Sequence, residues 1–380
     1  MSSPTSEARY RRELSLRPGT SAKVGTLAVT ALLLVLPLLV GPRWQTIGVY
    51  AFIAAIAALG MHVLSGLAGQ ISLGHAAFLA IGAYTACWLG VDQELPIWVW
   101  LPASGLVAGL AGAVLGPVAA RIRGLYLAVA TLALVFILQY VWQVWGELTG
   151  GVNGRPAPAV LFDGEDLLRG VEIGGLHLTG EQAWWYFALA ALGVALLASL
   201  NIQRSRMGRA FMAVRDRDLA AGVAGVPVRR TKVTAFVVSA TFTGIAGALL
   251  ASFQSYIVPT QWGLMLSIEY IAMVVIGGLG TTFGAVAGAF FVTSMPQVVH
   301  ALAGFLPFIA ETSSTDGGIS VPLLSEFLYG FAIVLVLLFE PDGLHALWVR
   351  AKRFVVRPPA APPPTPEPAI AELSGAGHVA

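Results

Sequence analysis

The chain has 380 residues, of which 57% are hydrophobic and 11% charged, with a net charge of +2 and a mean hydropathy of +0.77. A water-soluble domain carries about 25% charged residues, so this composition excludes an ordinary soluble protein and points to a chain that lies mostly within a bilayer. One cysteine, Cys87, sits in an apolar run, which excludes an internal disulfide and a cysteine-based metal site.

The first 23 residues are polar, with five Lys/Arg against two Glu, and read as a cytoplasmic tail rather than a signal peptide. About 20 apolar residues cross a bilayer as a helix. On that measure spans are expected near 24–41, 46–68, 72–90, 96–120, 124–146, 184–201, 233–256, 265–279, 281–298 and 325–340. The expected fold is therefore an all-α polytopic membrane protein of about ten transmembrane helices, some broken or short, with both termini cytoplasmic. Loop charges fit this count. The 147–183 connection carries Glu147, Asp163, Glu165, Asp166, Glu172 and Glu181 against Arg155 and Arg169, and reads as external. Arg121 and Arg123, the 202–232 segment, and Arg350, Lys352, Arg353 and Arg357 fall inside; Arg43 alone breaks the sorting.

Residues 265–298 test the count. As one helix they would extend about 51 Å, too long for one span. Two short or broken segments interrupted at Gly277, Gly278 and Gly280 are expected instead. Residues 24–344 then form the membrane domain, and 345–380 a cytoplasmic Pro-rich tail whose composition cannot form a core.

Two Gly-rich breaks stand out: Ser65–Tyr84, between spans two and three, and Gly277–Phe290, between spans eight and nine. Gln70, Ser72 and His75 in the first would be costly facing lipid. Paired interrupted segments in two halves of a chain point to a translocation path, with Gln70, Ser72, His75, Glu269, Gly277, Gly278 and Gly280 as path candidates. The same glycines equally suit tight turns and close packing, and His75 alone reads as a packing histidine. Glu269 is the one carboxylate inside an apolar span. It either serves the path or helix pairing, or rests at headgroup level. His62 and Thr131, also within spans, carry less weight.

Residues 202–232 hold eight Lys/Arg against Asp216 and Asp218. Charge alone makes this an ordinary positive-inside loop. The amphipathic stretch ending in Ala220-Ala221-x-x-x-Gly225 adds internal order suited to docking a cytoplasmic partner. No G-x-S-x-G, H-E-x-x-H or G-x-x-x-x-G-K-[ST] motif occurs, so neither nucleophilic nor zinc hydrolysis is indicated, and any ATP site belongs to another polypeptide.

Gly66–Tyr84 (GLAGQISLGHAAFLAIGAY), Gly124–Ala133 (GLYLAVATLA), Leu148–Gly154 (LTGGVNG), Ser205–Gly225, Ser239–Leu249, Ser267–Gly284 and Tyr329–Leu344 together resemble the LivM-type permease family of branched-chain amino-acid ABC importers. The resemblance implies a transport subunit of the bacterial inner membrane that is not itself an enzyme and binds no cofactor. Its implied partners are a LivH-like second permease, two cytoplasmic ATPase subunits that use ATP and Mg, an external substrate-binding protein and membrane lipid, with no nucleic acid. It also implies a coupling loop to the ATPase, carried here by Gly208, Arg209, Arg215, Asp216, Ala220, Ala221 and Gly225. Urea, short amides or organic acids are alternative substrates within the class. A stand-alone secondary transporter is the alternative outside it, for which Glu269 is a thin set of coupling groups.

Overall fold

The computed structural model describes residues 20–122, 124–162, 164–173 and 176–303, with 309–310, 319–320, 324, 327–328, 330–331 and 334. Among the described residues six stretches are long and apolar enough to cross a membrane: Pro42–Leu67, Ile97–Ala119, Tyr126–Val144, Gly180–Arg204, Val228–Gln254 and Pro259–Gly277. The chain is an all-α polytopic membrane protein.

Helix α1 (Thr20–Leu39) leads through a short turn into α2 (Pro42–Met61), which starts with Pro42 at its first turn, where a missing N–H costs nothing. α2 continues as a π-helical turn, His62–Leu67, and then the chain unwinds over 68–74 before α3 (His75–Cys87), itself extended by a second π turn, Trp88–Asp92. α4 (Ile97–Ala119) and α5 (Leu125–Val144) follow. α6 (Gly180–Arg204) runs to the basic segment, where α7 (Arg206–Asp216) and α8 (Asp218–Val223) lie. α9 (Val228–Gln254), α10 (Leu264–Gly277) and α11 (Thr282–Ala303) follow.

Most expected spans coincide with helices. The 265–298 stretch divides as anticipated, α10 ending at Gly277 and α11 starting at Thr282, with Gly278 at φ 113° and Gly280 at φ 89° in the turn, a backbone region that favours glycine. Three expectations shift. The first polar tail ends sooner, since α1 begins at Thr20. The third span begins at His75 rather than 72; just before it the Leu73 and Gly74 N–H groups and the Gln70 carbonyl bond side-chain hydroxyls instead of a helix. The 147–183 loop is shorter than expected. α6 already starts at Gly180, held by a capping box in which Thr179 and Gln182 bond each other's backbone N–H groups. Before it, short antiparallel ladders pair β2 (Leu161–Phe162) with β3 (Glu165–Asp166) and β4 (Val171–Ile173) with β5 (Leu176–Leu178). β1 (Arg155–Pro156) instead pairs with β6 (Tyr256–Ile257), just past α9, with Arg155 opposite Ile257. The expected span near 325–340 is described only at scattered helical positions, and residues 1–19 and the tail 345–380 lie outside the described residues.

α2 is the central post: 89% of its apolar window is buried, against 28% for the α5 window and 22% for α6. α9 crosses α3, α4 and α2. Contact is close because the crossing residues are small: a Cβ on Gly82 would lie 2.0 Å from the Gly244 carbonyl oxygen, and one on Gly247 2.0 Å from that of Leu79. Along α4, Gly105, Gly109, Gly112 and Gly116 form a row facing α9, where a Cβ on Gly112 would meet Ala240 at 2.9 Å. With no hydrophobic drive between helices in lipid, this close approach supplies the dispersion contacts that hold a bundle together.

Candidate functional site

The site lies at the end of the bundle that carries α7 and α8. Here the two Gly-rich breaks meet. A Cβ on Gly66, in the π turn after α2, would stand 3.0 Å from the Gly280 amide nitrogen and 2.7 Å from His62 Nδ1. Only glycine allows that approach. π turns leave a local backbone irregularity and are common at working sites.

α7 is wired into this junction. Ser205 caps its first turn by accepting from the Gly208 N–H at 3.2 Å, and Gly208 permits the sharp α6–α7 corner, since a Cβ there would strike the Ile202 carbonyl at 2.2 Å. At the far end of α7, Arg215 Nη1 donates to the Gly66 carbonyl at 2.9 Å, while its Nε donates to Asp216 Oδ1 at 3.0 Å. The Arg215 stem covers Gly69, whose φ of 66° holds the chain as it leaves the π turn. A second link runs through Thr282, the first residue of α11. Its hydroxyl donates to Gln203 Oε1 at 2.9 Å and sits 3.3 Å from His62 Nε2. The ends of α6 and α7, the α2 π turn and the start of α11 thus share one polar cluster.

α8 is attached differently. Ala221 is buried, whereas Leu219 and Val223, four residues apart on one face, are 74% and 92% exposed. Gly225, at φ 87°, closes the helix: its N–H bonds the Gly222 carbonyl and the Val226 N–H bonds that of Ala221. Asp218 pairs with Lys232 at 3.6 Å, and the Lys232 carbonyl accepts from Gln70 Nε2 at 3.3 Å. So α8 is tied through the start of α9 to the first break.

This arrangement alters one expectation. Ala221 does not present a small surface to a partner, because it packs inward; the outward face is Leu219 and Val223. Arg215 turns its Nη1 to the Gly66 carbonyl while its side chain stays partly exposed against Asp216. Arg209 and Asp216 are exposed too, Arg209 donating to the Arg204 carbonyl at 2.9 Å.

The path candidates fall in two groups. Gln70, Gly277, Gly278 and Gly280 belong to the junction beside α7. Ser72 and His75 lie deeper, where α3 starts within the bundle. There hydroxyls satisfy amides around the start of the helix: Thr131 accepts from Leu73 N–H at 2.9 Å, Ser72 from Gly74 at 3.2 Å, and Ser267 from the first-turn Ala76 at 3.0 Å. His75 is fully buried, its Nε2 3.0 Å from the Thr243 hydroxyl and its ring 6.0 Å from that of Tyr270. Glu269, half-buried on α10, stands about 12 Å along the helix from Gly277 and is not part of the junction. Thr243, Ser267, Thr282 and Gln203 were missed from sequence. Single hydroxyls and amides in helices carry no pattern, and only their partners, 79 to 220 residues away, give them a role.

A polytopic bundle with broken helices converging on an ordered basic segment defines a permease-type membrane subunit. Residues 45–337 match the family described as the permease component of branched-chain amino acid transport systems, and the chain belongs to that family. It is 30% identical over 335 residues to the high-affinity branched-chain amino acid transport system permease protein LivM of Escherichia coli (strain K12), covering 85% of this chain and 74% of that protein. It is 27% identical over 311 residues to LivH of Salmonella typhimurium, covering 76% and 90%. The autoinducer 2 import system permease protein LsrC of an Enterobacter species is 32% identical over 225 residues, covering 56% and 60%. No solved structure matches.

Proposed function

We propose that this chain is one of two permease subunits of an ABC importer for branched-chain or other small amino acids, energised by separate ATPase subunits. In this reading about ten spans place both termini and the α7–α8 segment in the cytoplasm, with the 147–179 segment outside the inner membrane. The observation that carries it is the exposed Leu219/Val223 face of α8, mounted on α7, which Arg215 and the Thr282 cluster join to both helix breaks. An ATPase groove that grips this apolar face can move α7 as a lever, and Arg215 then transmits the displacement to Gly66 and Gly280. Gly208, Arg209, Asp216, Ala220, Ala221 and Gly225 shape or frame the lever. The breaks carrying Gln70, Ser72, His75, Gly277, Gly278 and Gly280 are the parts that rearrange as substrate passes, with Glu269 on the path further along α10. ATP and Mg bind the partner ATPases, and an external binding protein delivers substrate. LivM and LivH relatives support the amino-acid assignment and a second permease as partner.

The test is co-purification of the ATPase subunits with Leu219→Asp/Val223→Asp. Charge on the docking face should abolish recruitment while the variant inserts normally. Undiminished recruitment would move the contact away from α8.

A further inference from the structure

At the opposite end of the bundle, four residues distant in sequence leave hydrogen-bonding atoms buried without partners. Tyr84 on α3, Trp142 on α5, Arg155 on β1 and Trp262 just before α10 are 1%, 7%, 8% and 1% exposed. The Tyr84 hydroxyl, both indole Nε1 atoms and Arg155 Nε make no hydrogen bond. The four are neighbours. The Tyr84 and Trp142 rings lie 5.0 Å apart at 38°, the Trp262 indole N–H approaches the Tyr84 hydroxyl without well-formed hydrogen-bond geometry, and the Arg155 charge acts on that hydroxyl. Arg155 spends its remaining nitrogens on Asp92 and on the Leu148 carbonyl. It is held there by the LTGGVNG segment: Gly150, Gly151 and Gly154 all have positive φ, and a Cβ on Gly154 would strike the Ile257 carbonyl at 2.2 Å.

Buried donors in native proteins are almost all paired. All four groups donate, and only the Tyr84 hydroxyl can also accept. A carboxylate, with two oxygens and about four acceptor sites, matches that set. The Arg155–Asp92 pair is neutral overall, so a lone anion would leave a net charge in an apolar place. A zwitterion would not, because its ammonium can rest against the aromatic faces.

We propose that Tyr84, Trp142, Arg155 and Trp262 form a binding site for the carboxylate of a zwitterionic α-amino acid entering the permease from the Asp92 end. The site deepens the importer reading and rests on it for the direction of transport, while its ligand chemistry stands on the unpaired donors alone.

The test uses the assembled importer, without its binding protein, in lipid nanodiscs, with L-leucine, leucinamide and urea as probes of thermal unfolding. L-Leucine should stabilise the wild-type complex, and the two probes that lack a carboxylate should not. Trp142→Phe/Trp262→Phe keeps both rings and removes both indole N–H groups. It should unfold at a higher temperature without ligand, since two unpaired donors are gone, and bind L-leucine more weakly by about fivefold per lost donor. Tyr84→Phe should weaken leucine in the same direction, which keeps the test open if the double variant assembles poorly. No leucine effect on the wild type, an equal effect of leucinamide, or unchanged leucine affinity in these variants would overturn the site. ATP-driven leucine uptake that persists with unchanged affinity in the double variant removes the site and leaves the importer reading. Tryptophan-dependent leucine binding in a complex that transports nothing leaves the site and removes the importer reading.

Discussion

Arg215→Ala separates the lever from the junction. Arg215 makes one charge-assisted hydrogen bond to the buried Gly66 carbonyl and packs its stem over Gly69, with its side chain 38% exposed. Hydrogen bonds to charged groups contribute about 1.5–3 kcal/mol when well buried. Exposure on one side screens this one, so about 1–1.5 kcal/mol is a fair figure, or roughly five- to tenfold in an equilibrium. That amount is too small to unfold a bundle built on α2 and α9, yet large enough to bias a two-state transmission step. The assay is substrate taken up per ATP hydrolysed, measured in proteoliposomes holding the complete importer. Arg215→Ala should recruit ATPase normally, because Leu219 and Val223 are untouched, and should hydrolyse ATP near the wild-type rate. Uptake per ATP should fall about five- to tenfold. Arg215→Lys, which keeps the charge but places a single ammonium rather than a planar fork, should fall between the two. A wild-type ratio in Arg215→Ala, with assembly intact, would refute Arg215 as the transmitting contact.

Gly66→Ala should be destabilising by about 1–3 kcal/mol through overpacking, because its Cβ would press on His62 and Gly280, whereas Gly41→Ala, where a Cβ meets nothing within 4 Å, should be neutral; thermal unfolding of the two variants checks this. Single cysteines placed at exposed Glu165 and Arg229, in a Cys87→Ala background, should label from opposite sides of the membrane, and labelling of both from outside would refute the proposed topology.

Much of the architecture was legible because lipid imposes strict lengths on apolar runs. The α10–α11 division followed from arithmetic on 34 residues and three glycines, and the structure breaks the chain there. What stayed illegible depends on tertiary partners. Nothing local distinguishes Arg215 from the other arginines of the basic segment; its acceptor, Gly66, is 149 residues away. Ala220 and Ala221 look equivalent in sequence, yet only Ala221 turns inward, a difference set by how α8 leans on α9. The unwound 68–74 stretch carries helix-compatible residues, and its backbone is drawn off by Thr131 and by Ser72 itself. The Tyr84, Trp142, Arg155 and Trp262 cluster is drawn from four separate elements. Leu148–Gly154 stood out in sequence without a role until β1 and β6 placed Arg155 beside Asp92.

The most direct measurement of the central claim is uptake of labelled L-leucine into proteoliposomes, comparing this chain alone with the complete set of second permease, ATPases and binding protein. The account predicts saturable uptake that requires ATP and every component, and none from this chain alone under ion or amino-acid gradients. Saturable gradient-driven uptake by the chain alone would contradict it and establish a secondary transporter instead.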